Sequence, residues 1–278
     1  MWTAGALLHR RGALPPRARH ATWVAEEDRT VVGWAEAEFD WTAEVEGVGT
    51  LYVLVAPDRR LRGIGSSLFE VVQGHLTANG ARELRSWSVP DGESFLERHG
   101  FRRTREERIS AVDPRTVDTG ALDVLPEGVA VVALPELEHR LPEVHAVYAA
   151  AAGDMPADHP ETNLPYDEWL IETLGDPDLA HDGSAVVLVD DRVAALSWLR
   201  VDRRRGLAEH DLTGTARTHR RRGLARLAKL AVIRWAAANG VTRLTTGNDA
   251  TNAGMLAIND ELGFRPFAVE TEWVKPLP

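Results

Sequence analysis

The chain has 278 residues, of which 44% are hydrophobic and 27% charged, enough sequence for two ordinary globular domains with buried cores. It contains no cysteine, which excludes disulfide bonds, thiolate metal ligands and a cysteine nucleophile. The net charge of −10 argues against a nucleic-acid partner and suits an amine-bearing one, although acidity also simply favours solubility. Since the chain shows no secretory signal and no apolar run of ~20 residues, we expect no membrane partner and a cytoplasmic location.

The first part of the chain alternates strand-like and helix-like patterns. The patterns predict two strands around a charged turn within 22–39, further strands at 50–55 and 83–89, helices at 66–78 and 93–99, and a last strand that opens at Phe101. The following stretch, 113–127, is rich in Pro, Gly and Asp and predicts a linker between a domain at 1–112 and a domain at 128–278.

The second part repeats this order with a longer beginning. It predicts a strand at 129–134, helices at 136–152 and 166–174, a hairpin at 184–189 and 193–201, a strand at 207–215, a helix at 224–238, a strand at 243–246, a helix at 253–261 and a strand at 264–274. The two helices before the hairpin have no counterpart in the first part. The first domain is therefore predicted to be a reduced version of the second.

One short motif occurs in both parts at a constant spacing. The first part reads Arg-Leu-Arg-Gly-Ile-Gly from Arg60, and the second reads Arg-Arg-Arg-Gly-Leu-Ala from Arg220, 160 positions later. The same shift relates Asn79-Gly80 to Asn239-Gly240. A shift of this length is far longer than a solenoid repeat and indicates two copies of one domain.

In each copy the motif lies between a strand and a helix, which is the arrangement of an anion site. The first N–H groups of a helix have no partner within it, and glycines let a phosphate approach them closely. Neighbouring arginines add charge-assisted hydrogen bonds, so a diphosphate is the best-suited ligand. The spacing matches neither the dinucleotide-binding fingerprint nor the P-loop.

These motifs resemble the acyl-CoA loop of the GNAT superfamily of N-acetyltransferases. The resemblance covers Val55-Ala56-Pro57 running into the first motif and Thr213-Gly214-Thr215 running into the second. In addition, the stretch from Asn252 to Gly263-Phe264 is similar to the second family signature, a helix that ends in Gly-Phe. The resemblance implies an α/β (α+β) fold of two tandem domains, each a mixed, mostly antiparallel sheet flanked by helices, with the N-terminal domain reduced.

The same resemblance implies a set of cofactor-binding residues in each copy. In that family the strand before the loop separates from its neighbour and pairs with pantetheine, and the loop N–H groups hold the diphosphate. In the second copy the implied residues are Thr213, Gly214, Thr215, Arg220, Arg221, Arg222, Gly223, Leu224, Ala225 and Asn252. In the first copy they are Val53, Leu54, Val55, Arg60, Leu61, Arg62, Gly63, Ile64, Gly65 and Ser66.

The chain departs from the family at the position of a common general acid. Many members have a Tyr four residues before the glycine of Gly-Phe, where it protonates the departing thiolate. Leu96 and Asn259 stand at these positions here. Asn259 can donate a hydrogen bond but cannot supply a proton, so the proton comes from water or from another side chain.

A base is needed if the amine arrives protonated. Glu209 and Asp211 are the candidates, because alternate residues of one strand share a face and this strand reaches the reaction centre in the family. The alternative interpretation is that both are solvent-facing carboxylates at the start of a strand and have no catalytic role. His210 points the other way and is predicted to be structural. The histidines at 139, 145 and 159 lack the spacing of metal ligands, and no metal site is expected.

The sequence thus predicts an acetyl-CoA-dependent N-acetyltransferase with acetyl-CoA as co-substrate and the C-terminal copy as the catalytic one. The acceptor is expected to be a primary amine of a small molecule or peptide that attacks the thioester directly. Two alternatives remain open at this point: a mycothiol synthase, which is also a tandem protein of this superfamily, and a non-catalytic CoA-binding sensor or scaffold. Release of CoA with a panel of amines separates the enzymes from the sensor.

Overall fold

The computed structural model describes residues 3–43, 45–155 and 164–278. The first elements in chain order are α1 (Ala4–Ala13), β1 (Ala21–Glu27), β2 (Thr30–Phe39), β3 (Val48–Val55), α2 (Ile64–Ala78), β4 (Glu83–Ser88), α3 (Pro90–Arg98) and β5 (Arg102–Val112). They are followed by β6 (Val129–Ala133), α4 (Leu141–Ala152), α5 (Tyr166–Trp169), β7 (Ala185–Val189), β8 (Arg192–Asp202), β9 (Leu207–Thr215), α6 (Leu224–Ala238), β10 (Arg243–Asp249), α7 (Ala253–Glu261) and β11 (Arg265–Pro276).

The chain divides into two compact units, and each is assembled from separate parts of the sequence. The N-terminal unit contains the described residues 14–43, 45–106 and 269–278. The C-terminal unit contains the described residues 3–13, 107–155 and 164–268. The sequence pattern had placed the whole last strand in the second copy, whereas residues 269–278 pack with the first.

The N-terminal unit is a mixed sheet with α2 on one face. Its strands follow the order β1-β2-β3-β4-β11, all antiparallel to their neighbours except the parallel pair β3–β4. Phe69, Val72 and Leu76 of α2 pack into a core with Leu51 and Leu84 of the sheet. Only a 3-10 turn precedes β1 in the described part of this unit, which makes it the reduced copy.

The C-terminal unit is a second mixed sheet with helices on both faces. Its strands follow the order β5-β10-β9-β8-β7-β6, antiparallel except for the pair β9–β10. Leu230 and Ile233 of α6 enclose a core on one face. Val147 of α4 and Trp169 of α5 enclose another with Trp198 of β8. We refer to these two faces as the α6 face and the α4 face.

The local patterns and the observed elements differ mainly where a helix begins. β9, α6 and α7 have the predicted ends, whereas the predicted helix 136–152 is a 3-10 segment over Leu134–Arg140 followed by α4. Pro142 explains the break, because proline removes a helical N–H donor and is favoured in the first turn of a helix. Helix α1 was not predicted from the sequence. His159 lies outside the described residues. Across the described residues, no helix has both the length and the apolar character needed to cross a membrane.

Candidate active site

The turns before α2 and α6 have the same backbone conformation. Leu61 and Gly63 have φ of 63° and 86°, and Arg221 and Gly223 have φ of 62° and 75°. Left-handed residues that alternate with right-handed or extended ones turn successive N–H groups towards one point, which favours an anion. No side chain caps either helix at its glycine. The first N–H groups of both helices are therefore available to a ligand.

One arginine in each motif fixes the turn to the strand before it. Arg220 Nε donates to the carbonyl oxygen of Thr215 at 3.2 Å, and Arg60 Nε donates to that of Val55 at 3.3 Å. These contacts join the same positions in the two copies. The first arginine of each motif therefore shapes the loop, in addition to any role towards an anion.

An aspartate that is distant in sequence forms ion pairs with arginines at the second loop. Asp154, just after α4, accepts from Arg217 Nε at 3.0 Å and from Arg220 Nη2. Hydrogen bonds from Arg217 and Arg220 hold the pKa of Asp154 well below its usual range. Nothing in the local sequence marks this residue, because its partners follow more than sixty positions later.

The strand that enters each loop separates from its parallel neighbour. β9 pairs with β10 only from Leu207 to His210, and the residues from Asp211 to Thr215 lie beyond this pairing. In the N-terminal unit, β3 pairs with β4 only from Val48 to Thr50. Both copies thus have an open strand edge beside the loop, as the resemblance implied.

Only the second copy has a bulge in this strand. Ser197 pairs with Thr213, but Leu199 pairs with His210, so β9 has one residue more than β8 between these pairs. The corresponding pairs of the first copy, Ala35–Val53 and Ala37–Leu51, show no shift. A bulge leaves a residue out of the ladder and changes the side on which the following side chains lie.

The bulge decides which residues share a face with Thr213. Its Oγ1 lies 2.8 Å from Ser197 Oγ, and Ser197 is on the α6 face, since its neighbours Leu196 and Trp198 lie in the α4-face core. Leu212 lies in that α4-face core as well. Simple alternation had placed Thr213 with the candidate bases, and the bulge reverses this placement.

The candidate bases lie beside the half-buried Arg200 on the α4 face. Asp211 Oδ1 is 4.0 Å from Arg200 Nη1, and Arg200 Nη2 is 2.7 Å from Asp176 Oδ2. Glu209 is paired with Arg200 across the strands. Burial raises the pKa of Asp211, Arg200 opposes the shift, and the negative charges of Glu209 and Asp176 add to it. The Asp211 side chain nevertheless remains 36% accessible, so solvent or a ligand can reach it.

Helix α4 and an aromatic cluster cover the same face of the sheet as these carboxylates. Tyr148 stacks on Trp198 with ring centroids 6.4 Å apart and meets Trp169 at 5.7 Å. Gly214 lets the helix come this close, because a Cβ there would overlap the side chain of Ala151. The Cα hydrogen of Gly214 that a side chain would replace thus faces α4, and Gly214 can contact a cofactor only through its backbone groups.

The two positions where many relatives have a Tyr are both buried. Leu96 belongs to the N-terminal core. Asn259 is 1% exposed, and its Nδ2 donates to Asn248 Oδ1 at 2.6 Å. The side chain of Asn252 accepts from the N–H of Met255 and caps α7. Asn259 Nδ2 and Asn252 Oδ1 are therefore already engaged within the protein, whereas Asn259 Oδ1 is buried without a hydrogen-bond partner among the described residues.

A set of polar side chains lies on the α6 face beneath the bulge. Ser197 Oγ is 3.1 Å from His210 Nδ1 and 2.8 Å from Thr213 Oγ1. Lys229 of α6 is 1% exposed, and its Nζ lies 5.3 Å from the centre of the Phe264 ring. His210, which was predicted to be structural, is buried, whereas Ser197 and Lys229 were not singled out from the sequence. A lysine within the apolar face of α6 was the available signal.

The N-terminal unit brings three groups of the metal-ligand type together. One ligand atom each of His20, Glu36 and Glu38 lies within 4.8 Å of the others. The sequence did not predict this group. Two of the three also contact each other directly, since His20 Nε2 is 3.5 Å from Glu36 Oε1.

Comparisons with known proteins agree with this geometry. A family model described as an acetyltransferase (GNAT) domain matches residues 18–103, and one described as the acetyltransferase (GNAT) family matches residues 144–264. No curated protein matches the sequence significantly.

Among solved structures, a tandem GNAT protein from the clavulanic acid biosynthesis pathway is similar with a TM-score of 0.78 and 19% identity over 99% of this chain and 88% of that one. A GCN5-related N-acetyltransferase from Sphaerobacter thermophilus has a TM-score of 0.66 and 17% identity over 90% and 78%. Another from Kribbella flavida has a TM-score of 0.59 and 18% identity over 100% and 98%. At these identities the likeness concerns the fold.

Proposed function

Because the chain belongs to the GNAT family of acetyltransferases, we propose that its C-terminal copy transfers an acetyl group from acetyl-CoA to a primary amine of a small molecule or peptide. One observation carries the proposal: β9 leaves its neighbour after His210, bulges, and runs directly into the loop at Arg220. This arrangement offers a free strand edge for an extended cofactor and a cluster of N–H groups for its phosphates. We take 1–112 and 128–278 as the two sequence copies and 113–127 as the linker, although residues 269–278 of the second copy pack in the N-terminal unit.

The cofactor would lie along β9 with its diphosphate on the loop. The backbone of Thr213, Gly214 and Thr215 provides hydrogen-bonding groups at the strand edge, because pairing with β10 ends before them. The N–H groups from Arg221 to Ala225 would receive the diphosphate. Phosphates that reach Arg217 or Arg220 would replace the carboxylate of Asp154.

The reaction would be a direct attack of the amine on the thioester carbon. Glu209 and Asp211 lie on the α4 face, where the accessible carboxylate of Asp211 can take the proton of an arriving ammonium, directly or through a water. A pKa raised by burial makes a carboxylate a better base than one in bulk water. Acidic groups on the same face of the sheet as an aromatic cluster also suit a cationic acceptor.

The N-terminal copy would have a different role. It keeps the loop conformation and the open strand edge but has no bulge in β3, and only a 3-10 turn precedes β1 among its described residues. We propose that this copy binds CoA without turnover or serves as a packing partner.

The decisive experiment measures both halves of the reaction with the full chain. Calorimetry with acetyl-CoA tests cofactor binding. A thiol-detecting dye then follows CoA release with a panel of polyamines, aminoglycosides, amino sugars and short peptides with free N-termini. Binding together with amine-dependent release supports the enzyme. Binding without release by any amine favours a CoA sensor, and the absence of binding overturns the proposal.

A further inference from the structure

The two copies differ most clearly in the chemistry of one part of their cores. Ala35 and Val53 form a strand pair in the first copy, and Ser197 and Thr213 form the corresponding pair in the second. The next strand residue on the same face is Leu51 in the first copy, paired with Ala37, and beyond the bulge it is His210 in the second copy, paired with Leu199. Three apolar positions of one copy are therefore polar in the other.

The helix that packs on this region shows the same change. Phe69 lies six residues after Gly63, and Lys229 lies six residues after Gly223. Phe69 meets the ring of Phe101 at 5.9 Å, and Lys229 Nζ lies over the ring of Phe264 at 5.3 Å. The second copy thus places a lysine where the first has an aromatic core residue.

This replacement opposes the usual preference for apolar cores. Moving a charged group out of water is unfavourable unless it is paired, and among the described residues Lys229 forms no ion pair. Lys229 and Lys275 are also the only lysines of the chain, which otherwise uses arginine for its positive charges. Arginine keeps its charge when buried, whereas lysine can change protonation state.

The polar groups form a chain that leads to the open strand edge. Thr213 lies in the stretch of β9 that has left β10, and its hydroxyl contacts Ser197, which contacts His210 Nδ1. His210 Nε2 is buried and has no hydrogen-bond partner among the described residues. The centre of the His210 ring lies 5.9 Å from that of the Phe264 ring, and the Lys229 ammonium contacts the same Phe264 ring. A water between Nε2 and Nζ would complete the chain.

We propose that Lys229 and His210 deliver a proton to the departing CoA thiolate through the hydroxyls of Ser197 and Thr213. This inference rests on the proposed function, and it supplies the acid that the missing Tyr leaves open. Thr213 is the group that would touch the cofactor. Lys229, His210 and Ser197 act through it and are positioning residues.

The transfer balances in protons and electrons. The amine nitrogen bonds to the thioester carbon, and the carbon–sulfur bond breaks with its electron pair on sulfur. The surplus proton of the amine leaves through Glu209, Asp211 or water. Sulfur takes the proton of the Thr213 hydroxyl, which is replaced from Ser197, then from His210 and finally from Lys229, and Lys229 regains its proton from solvent.

The charges around these polar side chains favour proton transfer from Lys229 towards the thiolate. Burial lowers the pKa of Lys229 to about 7. Burial, and then the charge of Lys229, hold the pKa of His210 well below its usual range, so that a neutral ring can relay protons. A thiol has a pKa of about 8.5, so the step from Lys229 to the thiolate is downhill.

The first test follows Lys229 directly and needs no acceptor. Lysine labelled with ¹³C at Cε gives two NMR signals in the full chain, which Lys275→Arg assigns. We expect the Lys229 signal to titrate near neutral pH and its midpoint to move with CoA but not with desulfo-CoA, which lacks the sulfur. Titration near the usual lysine pKa, or the same curve with both ligands, overturns the proposal.

The second test uses variants in the CoA-release assay, with the amine that reacts fastest in the panel. Lys229→Met should lower kcat roughly 10²-fold and remove the fall of kcat above about pH 7, while acetyl-CoA affinity stays the same. Ser197→Ala and Thr213→Val interrupt the proton relay with the residue types that the first copy has at these positions. Both variants should show the same lower kcat and the same loss of the fall above about pH 7. Lys275→Met is the matched control and should change neither.

The outcomes separate the relay from the enzyme. Normal kcat and an unchanged alkaline limb in Lys229→Met overturn the relay while leaving the acetyltransferase in place. Normal kcat in both hydroxyl variants does the same. Failure of the wild-type chain to bind acetyl-CoA instead overturns the proposed function, whatever the titration of Lys229 shows.

Discussion

Replacing Gly223 by glutamate should remove acetyl-CoA binding from the C-terminal copy. A Cβ at Gly223 meets no atom within 4 Å, so the new side chain fits but extends into the space proposed for the diphosphate. At a separation of 5 Å and an effective dielectric constant of about 20, each pair of like unit charges repels by about 3 kcal/mol. A loss of this size weakens binding more than a hundredfold.

The substitution also strains the backbone, which requires a matched control. Gly223 has a φ of 75°, and a residue with a Cβ loses about 1–2 kcal/mol there. Gly240 at the other end of α6 has a φ of 77° and equally open surroundings. Gly240→Glu therefore carries the same strain and charge away from the loop. We expect similar Tm values for the two variants and normal affinity in Gly240→Glu only.

Calorimetry with the full chain gives the answer in affinity and stoichiometry. If both copies bind acetyl-CoA, Gly223→Glu should lose one site and keep the other. If only the C-terminal copy binds, all heat of binding should disappear. Equal affinity and stoichiometry in the two variants would refute the assignment of the loop at Arg220 as the diphosphate site.

The unequal roles of the copies predict that Gly63→Glu leaves most of the turnover intact, whereas the same change at Gly223 abolishes it; the reverse result in the CoA-release assay would assign catalysis to the other copy. Glu209→Gln or Asp211→Asn should lower kcat roughly 10²–10⁴-fold near neutral pH, with a smaller loss at high pH where the amine is already free. Normal rates in both variants would contradict the assigned base. Asp154→Asn should tighten acetyl-CoA binding measurably by calorimetry, because it releases two arginines, and unchanged or weaker affinity would show that Asp154 does not compete with the phosphates.

Local sequence patterns predicted the elements that form the loop site. The predicted and observed ends of β9, α6 and α7 agree, because apolar spacing and flanking glycines determine these ends through interactions between residues close in sequence. The left-handed turns follow from the same motif, since Gly63 and Gly223 accept φ values that other residues resist. These features depend on neighbours in the chain and can be read without a structure.

The features that were missed depend on partners far away in the chain. Asp154 meets Arg217 and Arg220 only in the folded protein, and no local pattern marks it. The bulge at Asp211 and Leu212 leaves the strand sequence unremarkable, yet it places Thr213 on the α6 face. In the same way, β11 continues its strand pattern past Ala268 while residues 269–278 join another compact unit.

The duplication makes one copy a reference for the other. The two loops keep the same backbone angles and the same contact from the first arginine to the strand end. These shared features are sufficient for a fold with an anion site, so they cannot by themselves distinguish an enzyme from a binding protein. The differences lie beneath the strand edge, where Leu51 and Phe69 in one copy correspond to His210 and Lys229 in the other. A lysine also meets the aromatic rings of the first copy, where Lys275 Nζ lies 5.2 Å from the Phe69 ring. The first copy nevertheless has Ala35, Val53 and Leu51 where the second has Ser197, Thr213 and His210, so the polar groups that lead to the open edge distinguish the second copy, and proton transfer at that edge provides a reason for them.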